Sequence, residues 1–285
     1  MIVDLHSHTS ESDGEYTPKK LIDKAIEKNL SVLAITDHDT IDGLDEAITY
    51  AKNKDIEIVP GIEFNTKTNI GKMHILGLNI DYSNKELINV TNKLKEDRNV
   101  RNNKFIKLFQ QLGFNINIED VRKYAIGEII AKPHFAQVLL EKRYIKDINE
   151  AYDNFFNVAP FNEIIRMTLP PKETIETIKK ASGVAILAHP KTLKLNYMDL
   201  EKTIGELVSY GLDGIECYHS IHTPEDIKQY KDIAKKYNLL ISKGSDYHGP
   251  NVTPEVELGT GKNNNILTQE EKELYKKIKS RLKVK

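Results

Sequence analysis

Short apolar, β-branched runs alternate along the chain with segments whose apolar positions recur every third or fourth residue. The runs are IVDL (2–5), SVLAI (31–35), IEIV (56–59), MHILGL (73–78), VAIL (184–187), GIECY (214–218) and LLISK (239–243). Several are apolar almost throughout, as strands covered on both faces must be. The intervening segments carry helix signals. In TPKKLIDKAIEKN, Thr17 is placed to cap, Pro18 takes the first helical position, and Leu21, Ile22, Ala25 and Ile26 form one apolar stripe. LDEAITYAKNKD, PKETIETIKKASG and EDIKQYKDIAKKYN read the same way. Strand then helix, repeated, predicts a parallel α/β architecture. Seven strands in this rhythm predict a closed barrel more than an open sheet.

The rhythm breaks over residues 82–166, where the pattern is helical and polar, from NKELINVTNKLKEDRNVRNNKFIKLFQQLG through EIIAKPHFAQVLLEKRY. The expectation is a helical subdomain (82–166) inserted into a barrel built from 1–81 and 167–285.

Composition narrows the class. The chain of 285 residues is 39% hydrophobic and 29% charged, which suits a soluble protein with a substantial core. No apolar run is long enough for a membrane span, and the first residues lack the basic and apolar regions of a signal peptide. A single cysteine, Cys217, excludes an intrachain disulfide and fits a reducing cytoplasm. A formal net charge of −1 gives no global pull toward nucleic acid or anionic membrane. No obligate protein partner is indicated.

The histidines carry the chemistry. Of nine, six fall at a strand end or edge: His6 and His8 after IVDL, His38 after SVLAI, His74 in KMHILG, His189 after VAIL, and His248 after LLISK. Carboxylates join them: Asp13, Glu63 in VPGIEF and Asp246 in GSDYH. In a βα barrel the C-terminal strand ends meet at one face, so these residues should share one pocket. Imidazole and carboxylate are ligands for Zn²⁺, Mn²⁺ and Fe²⁺. His-x-His on an extended segment points both rings to one side. The set is too large for one ion and suits two or three, with Glu63 as a bridge. Such a filled pocket would be strongly positive and would attract an oxyanion, phosphate above all.

DLHSHTSESDG, LAITDHDT, VPGIEF, MHILG, AILAHP, GIECYHSIHT and GSDYHG together resemble the polymerase and histidinol phosphatase (PHP) family of metal-dependent phosphoesterases. SDGEYTP, TDHDTIDGL and the insertion resemble one branch. It comprises phosphatases of AMP-like nucleotides or nucleoside 3′,5′-bisphosphates and a related 5′-to-3′ exoribonuclease. Histidinol phosphatases of the family usually have histidine at the position of Asp13 and lack the insertion. The resemblance implies a distorted seven-stranded (β/α)7 barrel, TIM-like, with a trinuclear site. It implies one ion on His6, His8, Glu63 and Asp246, a second on Asp13, His38 and His248, and a third on Glu63, His74 and His189. Mn²⁺ is the ion expected, with Zn²⁺ or Fe²⁺ alternatives. Asp13, His38, Glu63, Asp246 and His248 are expected closest to the chemistry.

On the substrate side, KPHFA resembles a [K/R]-P-H-x-A string of that branch, with Lys132 and His134 facing phosphate; the alternative is an ordinary helix start. Arg98 and Arg101 share a stripe with Leu94, Phe105 and Leu108, which suits either a basic wall or a solvated helix. Arg166 is a further candidate, as are His219 and His222, for which a plain loop role is equally open. Cys217 should be core.

The expected function is hydrolysis of a nucleotide phosphomonoester, AMP or a nucleoside 3′,5′-bisphosphate, by a metal-activated hydroxide. The alternatives are a 5′-to-3′ exoribonuclease acting on short RNA, a histidinol-phosphate-type phosphatase, or a non-catalytic domain stabilised by metals. A metal-dependent amidohydrolase would want a bridging lysine in the barrel, and Lys243 is the nearest to a strand-end motif.

Overall fold

The computed structural model describes residues 1–281 apart from positions 126 and 128. Its seven strands are β1 (Ile2–Asp4), β2 (Leu30–Ile35), β3 (Glu57–Thr66), β4 (Met73–Leu78), β5 (Val184–Leu187), β6 (Gly214–His219) and β7 (Leu240–Gly244), side by side in chain order. The ring is drawn nearly shut between β1 and β7. Leu5 N donates to Lys243 O (3.2 Å), Asp246 N to His6 O (2.9 Å) and His8 N to Tyr247 O (3.0 Å). The barrel is packed inside by Val3, Leu5, Val32, Ala34, Leu76 and Ile186, all nearly solvent-free. Helices α1 (Pro18–Glu27), α2 (Leu44–Ala51), α7 (Pro171–Lys180), α8 (Tyr197–Ser209) and α9 (Pro224–Lys236) cover the outside. At α1, Thr17 Oγ1 accepts from Lys20 N at 3.3 Å and Pro18 opens the helix, as its sequence predicts. No helix among the described residues is long and apolar enough to cross a membrane.

The parallel reading needs one correction. β4 runs antiparallel to both β3 and β5. The connection over 67–72 is too short for the crossover that parallel strands require, so β3 turns straight back. This reversal puts the start of β4, and with it His74, at the face where the other strands end. β3 is also longer than IEIV suggests, and Glu63 lies within it.

The inserted segment forms α3 (Lys85–Gln111), α4 (Ile118–Arg122), α5 (Lys132–Glu141) and α6 (Ile148–Ala151), followed by a π-helical turn at Tyr152–Phe156. The expected helical stretch EIIAKPHFAQ begins at Glu128, outside the described residues; its later part is α5. Phe105, Phe109, Phe135, Phe156 and Phe161 form a separate apolar core there. α3 spans both cores: Leu87 and Leu94 pack on the barrel, Phe105 and Phe109 in the insertion. The two apolar cores therefore divide within α3.

Lys243 is 1% exposed and pairs at 2.8 Å with Glu271 Oε1 of α10 (Glu271–Ser280), while Glu271 Oε2 accepts from Val3 N at 2.8 Å. Lys243 is thereby committed to a structural pair and is not available as the bridge that the amidohydrolase alternative wants. Glu271→Ala strands a buried ammonium and a strand N–H together. It should cost about 3–5 kcal/mol of stability, read as a lower denaturant midpoint; an unchanged midpoint would show the pair to be dispensable.

Candidate metal centre

The chain supplies the centre from six strand ends and one loop. The extended backbone after β1 carries His6 and His8, and short-range hydrogen bonds fix it. Buried Asp4 accepts from His6 N (3.3 Å) and Ser245 N (2.9 Å) through one oxygen and from Gly259 N (2.7 Å) through the other, pinning β1 to β7. Asp37 accepts from Thr9 N (2.8 Å), Thr9 Oγ1 (2.7 Å) and Ser12 Oγ, shaping the turn that presents Asp13. A Cβ on Gly14 would lie 2.5 Å from His8 O, so this turn needs glycine. His189 and Asp246 adopt positive φ, 24° and 57°, a strained geometry that tight functional turns retain.

All nine expected ligands come together. His6 Nε2 lies 3.3 Å from Glu63 Oε1 and 3.4 Å from Asp246 Oδ1; His8 Nε2 lies 3.4 Å from Glu63 Oε2 and 3.2 Å from Asp246 Oδ1. That is the first expected set. In the second, Asp13 Oδ1 is 3.3 Å from His248 Nε2, and Asp13 Oδ2 is 3.9 Å from His38 Nε2; His8 joins this group. In the third, Glu63 Oε1 lies 2.9 Å from both His74 Nδ1 and His189 Nε2, and His38 Nδ1 lies 2.9 Å from Glu63 Oε2. The group close enough to hold an ion here is His38, Glu63 and His74, and His189 meets it through Glu63.

His74 Nδ1 and His189 Nε2 hydrogen-bond Glu63 Oε1, whereas other atoms of the cluster are close without being aimed for hydrogen bonding. His6 Nε2, His8 Nε2 and Asp13 Oδ1 are buried with no hydrogen-bond partner. Buried polar groups are normally paired, so a cluster of open lone pairs facing one space is what a cation would satisfy. The charges agree. Burial opposes charge on His6, but Glu216, Glu63 and Asp246 override it and hold the ring well above its ordinary value. Burial likewise opposes charge on His8, and Asp246 and Glu63 raise it to about 10. Burial would raise Glu63, yet His38, His74 and His6 hold it well below the usual range; Asp13 and Asp246 are depressed in the same way. Donor set, burial and charge all fit divalent ions.

A cleft of about 600 Å³ opens over Asp13, His38 and His74. Its walls hold Arg98, Arg101, Lys132, Arg166 and Tyr152 from the insertion and its return, and Lys67 and Lys72 from the β3–β4 connection. Arg98 and Arg101 are 5% and 7% exposed, so this stretch of α3 is not a solvated face. Arg98 Nη2 (2.8 Å) and Arg166 Nη1 (2.6 Å) share one oxygen of Asp39, itself at φ 58° beside His38. Asn65 links Asp39 to His38, 3.2 Å from His38 Nδ1. Arg101 instead donates to Asn102 Oδ1 (2.7 Å) and lies against the Phe105 ring. Lys132 donates to Phe156 O (3.2 Å), and burial followed by the charges of Arg101, Lys72 and Arg166 lowers it to about 8. Crowded cations of this kind call for an anion.

Three expected substrate residues stand elsewhere than in the cleft wall. His134 Nδ1 accepts from Ala131 N at 3.1 Å, capping its own helix, which puts its proton on Nε2. His219 ends β6, 2% exposed, with Nε2 3.3 Å from Asp246 Oδ2, so it stands beside the expected ligands and not in the cleft. His222 is buried between the Cys217 carbonyl (2.9 Å) and the Tyr230 ring, and burial pushes it down to about 3; it does not reach the cleft. Cys217 is core, as expected. The sequence reading passed over Asp37, Asp39, Asn65 and Glu216. The first two flank His38 in TDHDT, and Glu216 sits in GIECYH; their neighbours were the only signal.

The PHP domain model matches residues 4–245. The chain belongs to the PHP domain family. Among proteins similar to this PHP chain, a 5′-3′ exoribonuclease of Haemophilus influenzae is 30% identical, over 87% of this chain and 90% of that protein. A 3′,5′-nucleoside bisphosphate phosphatase of Chromobacterium violaceum is 27% identical, over 87% of each. In fold, the structure of an amidohydrolase from Chromobacterium violaceum superposes with a TM-score of 0.83, covering 99% of this chain and 97% of that one, at 24% identity.

In the absence of ions, protons on the imidazoles balance the carboxylates. The raised values of His6 and His8 mean a stabilising contribution that is full below the ordinary histidine range and is lost as pH rises through the folded value, about 10 for His8. A divalent ion bound there would replace those protons. The melting temperature of chelated protein should fall between about pH 7 and pH 10, and Mn²⁺ should restore more of it at the alkaline end. A Mn²⁺ effect of equal size at every pH would refute this exchange.

Proposed function

We propose that this chain is a metal-dependent phosphoesterase that removes phosphate from a nucleotide, either AMP or a nucleoside 3′,5′-bisphosphate. Two or three divalent ions are held by His6, His8, Asp13, His38, Glu63, His74, His189, Asp246 and His248, divided into the three sets above with Glu63 shared. Nitrogen and oxygen donors without thiolate suit Mn²⁺, with Zn²⁺ and Fe²⁺ compatible. When bound, such ions supply the Lewis acidity that activates a water and offsets charge on the phosphoryl oxygens.

The observation that carries the reading is the junction of this complete donor set with a cationic cleft. Glu63 and Asp246 hold the imidazoles in place at its floor. Arg98 and Arg166 are oriented by Asp39, which offsets part of their charge. Among the described residues, the oxygens that Arg101 and Lys132 hydrogen-bond are neutral, so their charge is available to an anion. A substrate with one phosphate at the ions and a second at Arg101 and Lys132 uses both features, which favours a bisphosphate. The likeness to the Chromobacterium violaceum phosphatase supports the same substrate class.

A second reading has its own observation. The cleft continues past the arginines to Lys67, Thr68, Asn69 and Lys72, a basic run that an RNA backbone would follow. The Haemophilus influenzae relative is named an exoribonuclease.

The test is phosphate release from 3′,5′-bisphosphoadenosine and AMP, and shortening of a 5′-phosphorylated RNA oligomer, with Mn²⁺ and with chelator, beside Asp246→Asn. Fast, chelator-sensitive release from the bisphosphate that Asp246→Asn abolishes is expected. Stepwise release of mononucleotides from RNA at a higher kcat/KM would select the exoribonuclease. No reaction with any of the three would overturn both readings. Arg101→Ala should lower kcat/KM for the bisphosphate about 10- to 100-fold, the size of a charged hydrogen bond, and affect AMP less. Equal losses on both would contradict a second-phosphate role.

A further inference from the structure

β6 contributes none of the nine expected ligands, yet two of its side chains reach the centre. The register of β6 against β7 slips between Glu216 and Tyr218, so one extra residue is accommodated there. Side chains of a regular strand alternate, and residues three apart face opposite ways; a bulge cancels that alternation. Glu216 and His219 therefore both turn inward, 0% and 2% exposed.

Glu216 uses both oxygens on N–H donors. Oε1 lies 3.0 Å from His6 Nδ1, and Oε2 accepts from the backbone N–H of His189 at 2.8 Å. A carboxylate against Nδ1 holds a proton on that nitrogen, so Nε2 is the nitrogen left for an ion. Nε2 lies 3.3 Å from Glu63 Oε1 and 3.4 Å from Asp246 Oδ1. The same carboxylate fixes the backbone of His189, whose ring meets Glu63 from the other side. His219 flanks Asp246, though its Nε2 is not aimed for a hydrogen bond there. Its Nδ1 accepts from Ile221 N at 3.2 Å, so Nε2 bears the proton, 3.3 Å from Asp246 Oδ2. Space for the pair comes from β7. A Cβ on Gly244 would lie 2.2 Å from His6 Cβ and 2.7 Å from Glu216 Oε1.

We infer that β6 is the positioning strand of the metal centre, with Glu216 setting the tautomer and angle of His6 and the backbone of His189. The inference rests on the metal-centre reading above. Glu216 acts as an acceptor for two donors and not as an ion ligand, although it clusters with His6 and His219 closely enough to hold one. The acceptor role demands a carboxylate. A glutamine of the same shape has one acceptor for two N–H groups, and its amide nitrogen opposes either His6 Nδ1–H or the His189 N–H.

The experiment compares Mn²⁺ binding to wild type, Glu216→Gln and Glu216→Asp by calorimetry and by ion content after dialysis, with the melting temperature of each chelated protein. Glu216→Gln should weaken one class of site about 10- to 100-fold, the usual effect of removing a partner of a ligating histidine. Glu216→Asp, which keeps two acceptors, should recover part of the loss. Unchanged Mn²⁺ binding in Glu216→Gln would overturn the inference, as would a lower melting temperature without a change in affinity. Wild type that binds no ion would instead refute the metal-centre reading itself. A direct check on wild type needs no variant: ¹⁵N spectra of the Zn²⁺-loaded protein should show His6 protonated at Nδ1. A ring bound through Nδ1, or protonated at Nε2, would overturn the assignment.

Discussion

Glu63 is a carboxylate with no solvent contact, within 2.9 to 3.4 Å of five imidazoles. Isolated in a protein interior, such a charge would be prohibitively costly, and burial alone would protonate it. It stays ionised because His6, His8, His38, His74 and His189 surround it. Those rings come from β1, β2, β4 and β5 and the turns after them. The barrel is the device that brings them to one carboxylate, and the reversal of β4 completes the ring of donors.

The same economy of charge organises the layers around it. Asp37 and Asp4 bind backbone N–H groups and fix the loops that hold His6, His8 and Asp13. Asp39 faces outward from the same TDHDT motif and clamps Arg98 and Arg166, tying the insertion to the barrel beside His38. One short segment thus carries an expected ligand with a loop-shaping carboxylate on one side and an insertion-anchoring carboxylate on the other. The cationic cleft follows, since α3 cannot dock on Asp39 without bringing Arg101 close behind Arg98. Separate apolar cores pack the two ends of this long helix on either side of the site.

The sequence by itself determined the strand count, the interruption by helices and the nine expected ligands, because each is a local signal. Apolar runs, caps and His-x-His spacing act within a few residues. Tertiary structure decided what depends on partners distant in the chain. The direction of β4 follows from a short connection between strands, not from the strand's own residues. Arg98 and Arg101 fit an amphipathic stripe whether solvated or buried, and only Asp39, fifty-nine residues from Arg98, tells which. His219 and His222 look alike in CYHSIHT, and the bulge in β6 sends one to Asp246 while the other turns to Cys217 and Tyr230. Glu216 carries no local mark of its role, since a carboxylate in an apolar strand acquires meaning only from the His6 ring and the His189 N–H that it meets.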